Sequence, residues 1–563
     1  MLDEFIDRPR IGYFSMEVAV RADISTYSGG LGILAGDTIR TAADLELPMV
    51  AVSLVSHLGY FRQELSAEGR QAAQPDAWQV SRWMSRVGAK VVVPIEGREI
   101  WVGAWLYVVE GHQGGREPVL FLDTQLAENE GADQHITDQL YGGDATYRFK
   151  QEIVLGIGGA RMLHALGFRI RKYHMNEGHA ALLALELLRR HSPIDADRRL
   201  GEPIYDIAAV RGLCNFTTHT PVGAGHDDFS YDLVERVLGP FLDGDMLRHL
   251  GGDNSLDMTR LAMNLSGYIN GVAKLHAETS RRLFPGYAVR AVTNGVHAYT
   301  WTAPTFAEIY DRHLPGWCHE PEILVRARCC IPDDEIWQAH VAAKQRLLKL
   351  VYQNSAMNFD PELPIIGFAR RMTAYKRPEL LFHDIARLKG IASRWPFQIV
   401  MAGKAHPQDS DGQQRIEHIH AAMRALAPDI RCAFLSNYEM SMAQILIPGV
   451  DLWLNTPQRP MEASGTSGMK AALNGVPSLS ALDGWWVEGC VEGITGWSIG
   501  DHGDGSAETD SRSLYDKLEQ QIMPLFHSDR AGWIAVMKSA IMQNGSLFNS
   551  HRMMRRYASE AYL

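Results

Sequence analysis

A glycine-rich segment, EASGTSGMKAALNG (residues 462–475), combines the residue types that an anion site needs. Gly465 and Gly468 allow a ligand to approach the backbone closely, and Thr466 and Ser467 are good helix N-cap residues. The helix that follows them is predicted to direct its first N–H groups toward an anion.

Lys470 lies in the first turn of this helix, which is predicted over about residues 469–474 and is closed by Gly475. The positive end of the helix dipole disfavours a charged lysine there. A lowered lysine pKa is what Schiff-base chemistry needs, because the neutral amine is the nucleophile. The spacing alone leaves open an ordinary glycine-rich turn with a solvated lysine.

A second segment, RRMTAYKRP (residues 370–378), follows a predicted buried strand. It places four cations within eight residues: Arg370, Arg371, Lys376 and Arg377. Such a cluster at the carboxyl end of a strand, in an acidic protein, predicts a phosphate site, to which Tyr375 can add a hydroxyl donor. A solvated basic loop is the alternative.

A third segment, SGGLGILAGD (residues 28–37), lies between a predicted strand and a predicted helix. Gly29, Gly30 and Gly32 can form an anion-binding nest there. The segment matches neither the Walker pattern nor GxGxxG, so a structural turn is the simpler interpretation of this loop alone.

Three histidines lie in or next to strand-like sequence. His219, in FTTHTPVG, is predicted either to bind a hydroxyl group or to be a satisfied core histidine. His174 and His179, in YHMNEGH, do not match HExxH and have no third ligand at metal spacing, so no metal site is predicted.

The elements that must position these residues are short apolar runs that alternate with helical periodicity, which is typical of an α/β fold with parallel sheets. Two such series predict two doubly wound, Rossmann-like domains that face a cleft. The first domain is placed at residues 1–300, with a β-rich insertion at about 90–124. The second is placed at residues 301–563, and the packing of its last helix on the first domain is left open.

Composition excludes several classes of protein. The chain has 563 residues, 46% of them hydrophobic and 21% charged, and a net charge of −11, which disfavours a nucleic-acid partner. Its six cysteines include no CxxC pair, so neither a disulfide framework nor a thiolate zinc site is expected. No run reaches the roughly 18 apolar residues of a membrane span. A reduced, cytoplasmic protein without a membrane partner is the expectation.

Taken together, the segments resemble the α-glucan (glycogen, starch, maltodextrin) phosphorylase family, and its short forms in particular. The resemblance runs from Ile11 to about Gly500, in the order SGGLGILAGD, NEGHAAL, THTPVGAGHD, TNGV, FARRMTAYKR, AGKAHP, EASGTSGMK and LDGWW. The EASGT-x-x-MK block is the most specific, whereas TNGV and GGLG are shared with glycogen-synthase-like enzymes. LDGWW offers aromatic faces for sugar stacking or, equally, two core tryptophans.

The resemblance implies a glycosyltransferase fold of the B type and retaining phosphorolysis of terminal α-1,4-linked glucose, which gives α-D-glucose 1-phosphate. It implies pyridoxal 5′-phosphate (PLP) bound covalently at Lys470, with the PLP phosphate assisting proton transfer. The implied partners are an α-glucan or maltooligosaccharide and inorganic phosphate, and a homodimer is left open.

The same resemblance assigns roles residue by residue. The implied catalytic residues are Arg371, Lys376 and His219. The implied cofactor-binding residues are Lys470, Thr466, Arg370, Tyr438, Gly29 and Gly30. The implied substrate-binding residues are Glu462, Ser464, Gly465, Asn294, Tyr375 and Leu31.

Three other functions are open to a chain of this architecture. A nucleotide-sugar glucosyltransferase would need no PLP, and the intact Met469-Lys470 pair argues against it. A non-catalytic glucan-binding relative is disfavoured because Lys470, Arg371 and Lys376 are all present. A phosphorylase that acts on a different α-glucoside is the third.

Overall fold

The computed structural model describes residues 2–8, 10–192, 204–221, 226–500 and 505–563, so residues 222–225 of the THTPVGAGHD segment lie outside the described residues. Strands make up two main sheets and two small antiparallel pairs. The strands are β1 (Ile11–Ser15), β2 (Met49–Leu54), β3 (Arg62–Leu65), β4 (Gln71–Gln74), β5 (Ser85–Arg86), β6 (Val91–Ile95), β7 (Arg98–Glu110), β8 (Arg116–Asp123), β9 (Lys172–Asn176), β10 (Cys214–Thr217), β11 (Asp228–Ser230), β12 (Ser255–Asp257), β13 (Tyr268–Gly271), β14 (Val289–Ala291), β15 (Ile365–Ala369), β16 (Gln398–Ala402), β17 (Cys432–Leu435), β18 (Leu452–Asn455), β19 (Ser478–Ala481) and β20 (Gly496–Ile499).

Helices connect the strands and cover the sheets. They are α1 (Asp3–Ile6), α2 (Gly30–Asp44), α3 (Ala145–Ile153), α4 (Gly159–Ala165), α5 (Leu182–Arg190), α6 (Ile207–Leu213), α7 (Tyr231–Leu238), α8 (Gly244–Gly251), α9 (Met258–Asn264), α10 (Lys274–Leu283), α11 (Ala298–Trp301), α12 (Pro304–His313), α13 (Ala327–Cys330), α14 (Asp333–Ser355), α15 (Ile385–Arg394), α16 (Ser410–Leu426), α17 (Met440–Gly449), α18 (Ser467–Leu473), α19 (Trp486–Gly489), α20 (Ala507–Lys517), α21 (Met523–Ser528), α22 (Arg530–Ser539) and α23 (Ser550–Tyr557). None of the described helices is long and apolar enough to cross a membrane.

The first sheet has the strand order β14-β13-β10-β9-β1-β2-β8-β7-β5, with β6 paired to β7. The strands from β14 to β8 are parallel, and β7 pairs antiparallel with β8, β5 and β6. The β-rich segment at 90–124 therefore extends the main sheet at its β2 side.

The second sheet has the order β17-β16-β15-β18-β19-β20, and all its strands are parallel. The strand that was predicted to precede the RRMTAYKRP segment is β15, and all its residues are buried, as predicted. The predicted α/β fold class is confirmed.

The last helix packs on the first sheet. Met553, Met554 and Tyr557 of α23 belong to the same buried cluster as Ile11 and Tyr13 of β1. Helix α23, which follows the second sheet in the sequence, therefore packs against the first half of the molecule.

Each sheet has a point where the strand order reverses, between β1 and β9 in the first and between β15 and β18 in the second. In open α/β sheets, ligands bind beyond the carboxyl ends of the strands at such a point. The loops that follow these four strands are therefore where the site is expected.

Candidate active site

A cavity of about 570 Å³ is lined by residues of both sheets' loops. All the residues that the sequence analysis singled out for catalysis, cofactor and substrate line it: Arg371, Lys376, His219, Lys470, Thr466, Arg370, Tyr438, Gly29, Gly30, Glu462, Ser464, Gly465, Asn294, Tyr375 and Leu31. The structure thus brings together side chains that are up to 441 positions apart, since Gly29 and Lys470 share the cavity.

Two loops of the second half supply the charged groups. Arg370 and Arg371 follow β15, and Glu462 lies in the long loop between β18 and α18. Both loops leave the carboxyl ends of adjacent strands, which explains why their side chains meet.

Glu462 joins two of the cations. Arg370 donates from Nη2 to Oε2 of Glu462 at 2.7 Å, and Nζ of Lys376 donates to the same oxygen. Burial raises the pKa of Glu462, but Arg370 and Lys376 outweigh it and hold that pKa at about 2. Glu462 is therefore a carboxylate at neutral pH.

Arg371 differs from its neighbours because it makes no side-chain hydrogen bond or ion pair with the residues that the structure describes. Its Nη2 atom is 3.6 Å from the position that a Cβ at Gly29 would occupy, so the guanidinium lies beside the start of α2. Arg377 does not join this group. It donates to Asp510 at 2.6 Å and to the carbonyl oxygens of Thr456 and Pro457.

The glycine loop is held by Glu17. Its Oε2 atom accepts the N–H groups of Ser28 at 2.6 Å and Gly29 at 3.1 Å. Helix α2 begins at Gly30, inside the SGGLGILAGD segment, so the prediction that this segment precedes the helix was wrong. The reason is steric: a Cβ at Gly32 would lie 2.7 Å from the Glu17 carboxylate, so only glycine lets this turn wind up against it.

Helix α18 begins at Ser467, and Thr466 is its N-cap residue, although its side chain makes no capping hydrogen bond. Lys470 in this helix is buried, and its Nζ atom lies 3.6 Å from the centroid of the Trp301 ring. Burial lowers the pKa of Lys470 to about 8, with Asp37 opposing and Arg40 adding to the shift. With this pKa, about a tenth of the amine is neutral at pH 7 and about half at pH 8.

His219 is oriented by two neighbours. Its backbone N–H donates to Oε2 of Glu177 at 2.8 Å, and its Nε2 lies 2.7 Å from Oδ1 of Asn176. Burial lowers the pKa of His219 to about 3, and the nearby histidines lower it further. The ring is neutral, and because Asn176 Oδ1 is an acceptor, Nε2 carries the proton and Nδ1 is left as an acceptor.

Several buried polar atoms at this cavity have no hydrogen-bond partner among the described residues: Oδ1 of Asn294, Oγ of Ser464, and Nε and Nη1 of Arg370. Buried polar atoms are satisfied in most folded proteins. Unpaired acceptors, a hydroxyl and guanidinium donors that line one cavity indicate a ligand with both hydroxyl and anionic groups.

A family model described as carbohydrate phosphorylase matches residues 246–494. The maltodextrin phosphorylase of Thermococcus litoralis is 37% identical to this chain over 98% of the chain and 70% of the relative. The chain belongs to the carbohydrate phosphorylase family. A glycogen phosphorylase of Mycobacterium tuberculosis is 36% identical over 98% of the chain and 70% of the relative, and that of Aquifex aeolicus is 32% identical over 98% and 86%.

The cavity of this phosphorylase also contains residues to which the sequence analysis gave no role. Glu177 and His179 lie in NEGHAAL, and Asp227 lies in THTPVGAGHD. The Nε2 atom of His179 is 3.2 Å from Oδ2 of Asp227. Arg148 pairs with the same aspartate at 2.9 Å and lies in no quoted motif. Glu17 likewise lies in none. No motif identifies Glu17 and Arg148, since the partners of both, Ser28 and Gly29 for Glu17 and Asp227 for Arg148, lie outside their local sequence.

Trp485, Trp486 and His174 do not line the cavity of the phosphorylase. Trp485 and Trp486 of LDGWW are buried, at an edge-on ring distance of 5.1 Å, so the core interpretation is the correct one. His174 is also a core residue, with Nδ1 2.7 Å from the Tyr562 hydroxyl and Nε2 2.8 Å from the Thr217 hydroxyl.

Proposed function

We propose that this phosphorylase cleaves the terminal α-1,4-linked glucose of a glucan or maltodextrin with inorganic phosphate and releases α-D-glucose 1-phosphate with retained configuration. The observation that carries the proposal is that one cavity holds a cation cluster, unpaired hydroxyl-binding atoms and a buried lysine of lowered pKa. The names of the relatives, maltodextrin phosphorylase and glycogen phosphorylase, support the same substrate class.

The phosphate is assigned to the space between Arg371 and the start of α2. The guanidinium of Arg371 forms no ion pair with the residues that the structure describes, and the first N–H groups of α2 have no partner within the helix. Charge-assisted hydrogen bonds and the helix dipole both favour a dianion there. Lys376 lines the same cavity, where its ammonium group donates to Glu462.

The glucosyl unit is assigned to Asn294, Ser464, His219 and Glu462. The unpaired Oδ1 of Asn294 accepts a sugar hydroxyl, and the Ser464 hydroxyl can donate or accept. Glu462 is fully ionised at neutral pH, so it orients hydroxyl groups and does not act as an acid. Neutral His219 also serves as a hydroxyl acceptor and not as a proton donor.

The residues present fit PLP. Lys470 provides a buried amine for the covalent link, and the unpaired Nε and Nη1 of Arg370 suit its phosphate. The first turn of α18 after Thr466 and the ring of Tyr438 line the same cavity. When bound, PLP supplies a second phosphate group that assists proton transfer.

The reaction then requires no protein acid. A proton leaves the substrate phosphate for the departing glycosidic oxygen, the C1–O bond breaks, and a phosphate oxygen forms a bond to C1 on the same face. Arg371 and Lys376 stabilise the charge of the phosphate through cationic groups that already line the cavity. Positioning of the two reactants supplies the rest of the acceleration.

The test is phosphate-dependent release of glucose 1-phosphate from a panel of maltooligosaccharides and longer glucans, with PLP content measured on the same sample. We expect release that requires phosphate, and its loss together with bound PLP in a Lys470→Ala variant. Lys274→Ala is a matched control, because this exposed lysine lies outside the cavity.

Other outcomes contradict the proposal in different ways. PLP uptake without release from any glucan would point to another α-glucoside donor. Glucose transfer from a nucleotide sugar by a chain that takes up no PLP would overturn the proposal as a whole.

A further inference from the structure

Three metal-ligating side chains meet outside the catalytic cavity. One ligand atom each of His112, Cys318 and His319 lies within 4.8 Å of the others, and none of the three residues lines the cavity. His112 is in the turn between β7 and β8, whereas Cys318 and His319 follow α12. The cluster therefore joins a strand turn of the first sheet to a segment whose core belongs to the second half.

The turn that carries His112 is fixed by its own backbone. The N–H of Gly111 donates to the carbonyl of Gly115 at 2.7 Å, and the N–H of His112 donates to Oδ1 of Asp44 at 2.6 Å. A Cβ at Gly115 would lie 2.0 Å from the carbonyl oxygen of Ala43, so the turn rests directly on the end of α2.

The second arm is equally constrained. Gly316 has a φ of +90°, and its carbonyl accepts the N–H of His319 at 3.0 Å. Trp317 is fully buried and Cys318 is 7% exposed, so the backbone between them has little freedom. Both arms are held before any ligand binds, which is the condition for a precise metal site.

The side chains have unused ligand capacity. Nδ1 of His319 is buried and has no hydrogen-bond partner in the described parts of the chain. The ring of His112 is more exposed. Its centroid lies 4.3 Å from that of the tilted Tyr299 ring and 5.3 Å from that of the His319 ring.

From this arrangement we propose that His112, Cys318 and His319 bind a divalent transition-metal ion of the zinc type. One thiolate and two imidazoles suit tetrahedral Zn²⁺, with water in the fourth position. A tetrahedral zinc ion needs ligand atoms about 3.5 Å apart, so a small rotation of the exposed His112 ring completes the site. Cys318 binds as the thiolate, and its proton leaves to solvent.

The ion would hold the two halves of the molecule together at a point that other contacts already connect. Asp44 accepts the N–H of His112 through Oδ1, and Nε2 of His297, in the segment between the halves, lies 2.7 Å from its Oδ2. Nε2 of His551 in α23 is 3.4 Å from the same oxygen. The site therefore has a structural role in connecting the two halves, and its residues lie outside the cavity proposed for the phosphate chemistry.

Cobalt substitution tests the proposal on the full chain with its cofactor. The background is a Cys329→Ser/Cys330→Ser variant, because this adjacent pair, with sulfur atoms 3.7 Å apart, is a competing thiol site. We expect one Co²⁺ per chain, with a thiolate-to-cobalt charge-transfer band and ligand-field bands of a tetrahedral site. Zn²⁺ should displace Co²⁺, which abolishes these bands, and should raise Tm.

Ligand variants decide the result. Cys318→Ala should abolish the charge-transfer band, and His112→Ala and His319→Ala should each weaken Co²⁺ binding at least about tenfold. His135→Ala, an exposed histidine outside the cluster, should bind Co²⁺ like the background. Should Cys318→Ala fail to fold, the exposed His112 still gives a decisive variant. Binding below one equivalent, or affinity and spectrum unchanged in His112→Ala, would overturn the proposal.

Discussion

The Nζ atom of Lys470 lies 3.6 Å from the centroid of the Trp301 ring, and this contact places the amine at the junction of the two halves. The indole N–H of Trp301 donates to both oxygens of Asp37 in α2, the shorter distance being 2.8 Å. Residues of the first half and of the connecting segment thus set the environment of a lysine that belongs to the second. The low polarity of that environment lowers the lysine pKa to about 8.

The lowered pKa predicts a pH-dependent cost to the cofactor-free protein. Folding lowers the pKa of Lys470 from 10.5 to about 8, so the penalty is fully present below pH 8 and disappears as the pH rises toward 10.5. We expect Lys470→Met to raise the free energy of unfolding by up to about 3 kcal/mol at pH 7. Urea unfolding of both cofactor-free proteins between pH 7 and 10 measures the difference.

Lys274→Met, which changes an exposed lysine, is the control. It measures how the free energy of unfolding depends on pH through all the other titratable groups. A Lys470→Met effect that stayed constant over the whole pH range would show that packing, and not charge, is responsible.

Arg371 and Arg377 lie in the same segment and predict opposite phenotypes. Arg371→Ala removes a guanidinium that is unpaired within the described structure and faces the cavity, so we expect stability to be kept and kcat/KM for phosphate to fall about 100-fold or more. Arg377→Ala leaves Asp510 with one buried partner fewer, so we expect a loss of roughly 3–5 kcal/mol of stability. Steady-state kinetics with phosphate varied and urea unfolding separate the two. Equal effects of both variants on the phosphate KM would contradict this division.

The strand series and the cation cluster were predictable because they are local: buried strands are continuous apolar runs, and the loops after them carry the charges. The start of α2 was not predictable in the same way. Gly30 and Gly32 have low helix propensity, and only the distant Glu17 carboxylate explains why the helix includes them.

The proposed metal site was even less predictable from the sequence. His112 and Cys318 are far apart in the sequence and show no ligand spacing, so only the folded chain brings them together. The two tryptophans of LDGWW could not be assigned for a related reason, because sugar-stacking and core tryptophans have the same local sequence.

Gly32 and Gly30 form a matched pair within the glycine loop. Gly32→Ala would place a Cβ 2.7 Å from both the Glu17 carboxylate and the Cβ of Tyr27, so we expect a clear loss of Tm and of activity. A Cβ at Gly30 meets nothing within 4 Å, so Gly30→Ala should keep the wild-type Tm. Because Gly30 borders the proposed phosphate site, we expect that variant to raise the phosphate KM. Thermal unfolding and phosphate kinetics of the two variants measure this contrast. A lowered Tm in Gly30→Ala would contradict the open space around the Gly30 Cβ position.

Ser464 predicts a separation of stability from substrate binding. Its hydroxyl is buried without a partner among the described residues, so the free enzyme bears the cost of an unsatisfied polar group. Ser464→Ala should therefore leave the free energy of unfolding unchanged or raise it by about 1 kcal/mol, while the glucan KM rises because a sugar contact is lost.

Ser480→Ala is the matched control, since that buried hydroxyl donates to the carbonyl of Ala481 at 3.1 Å. Loss of this hydrogen bond should lower the free energy of unfolding by a similar amount. Urea unfolding and glucan saturation curves of both variants measure the contrast. If Ser464→Ala were as destabilising as Ser480→Ala and bound glucan normally, the hydroxyl would serve the fold and not the substrate.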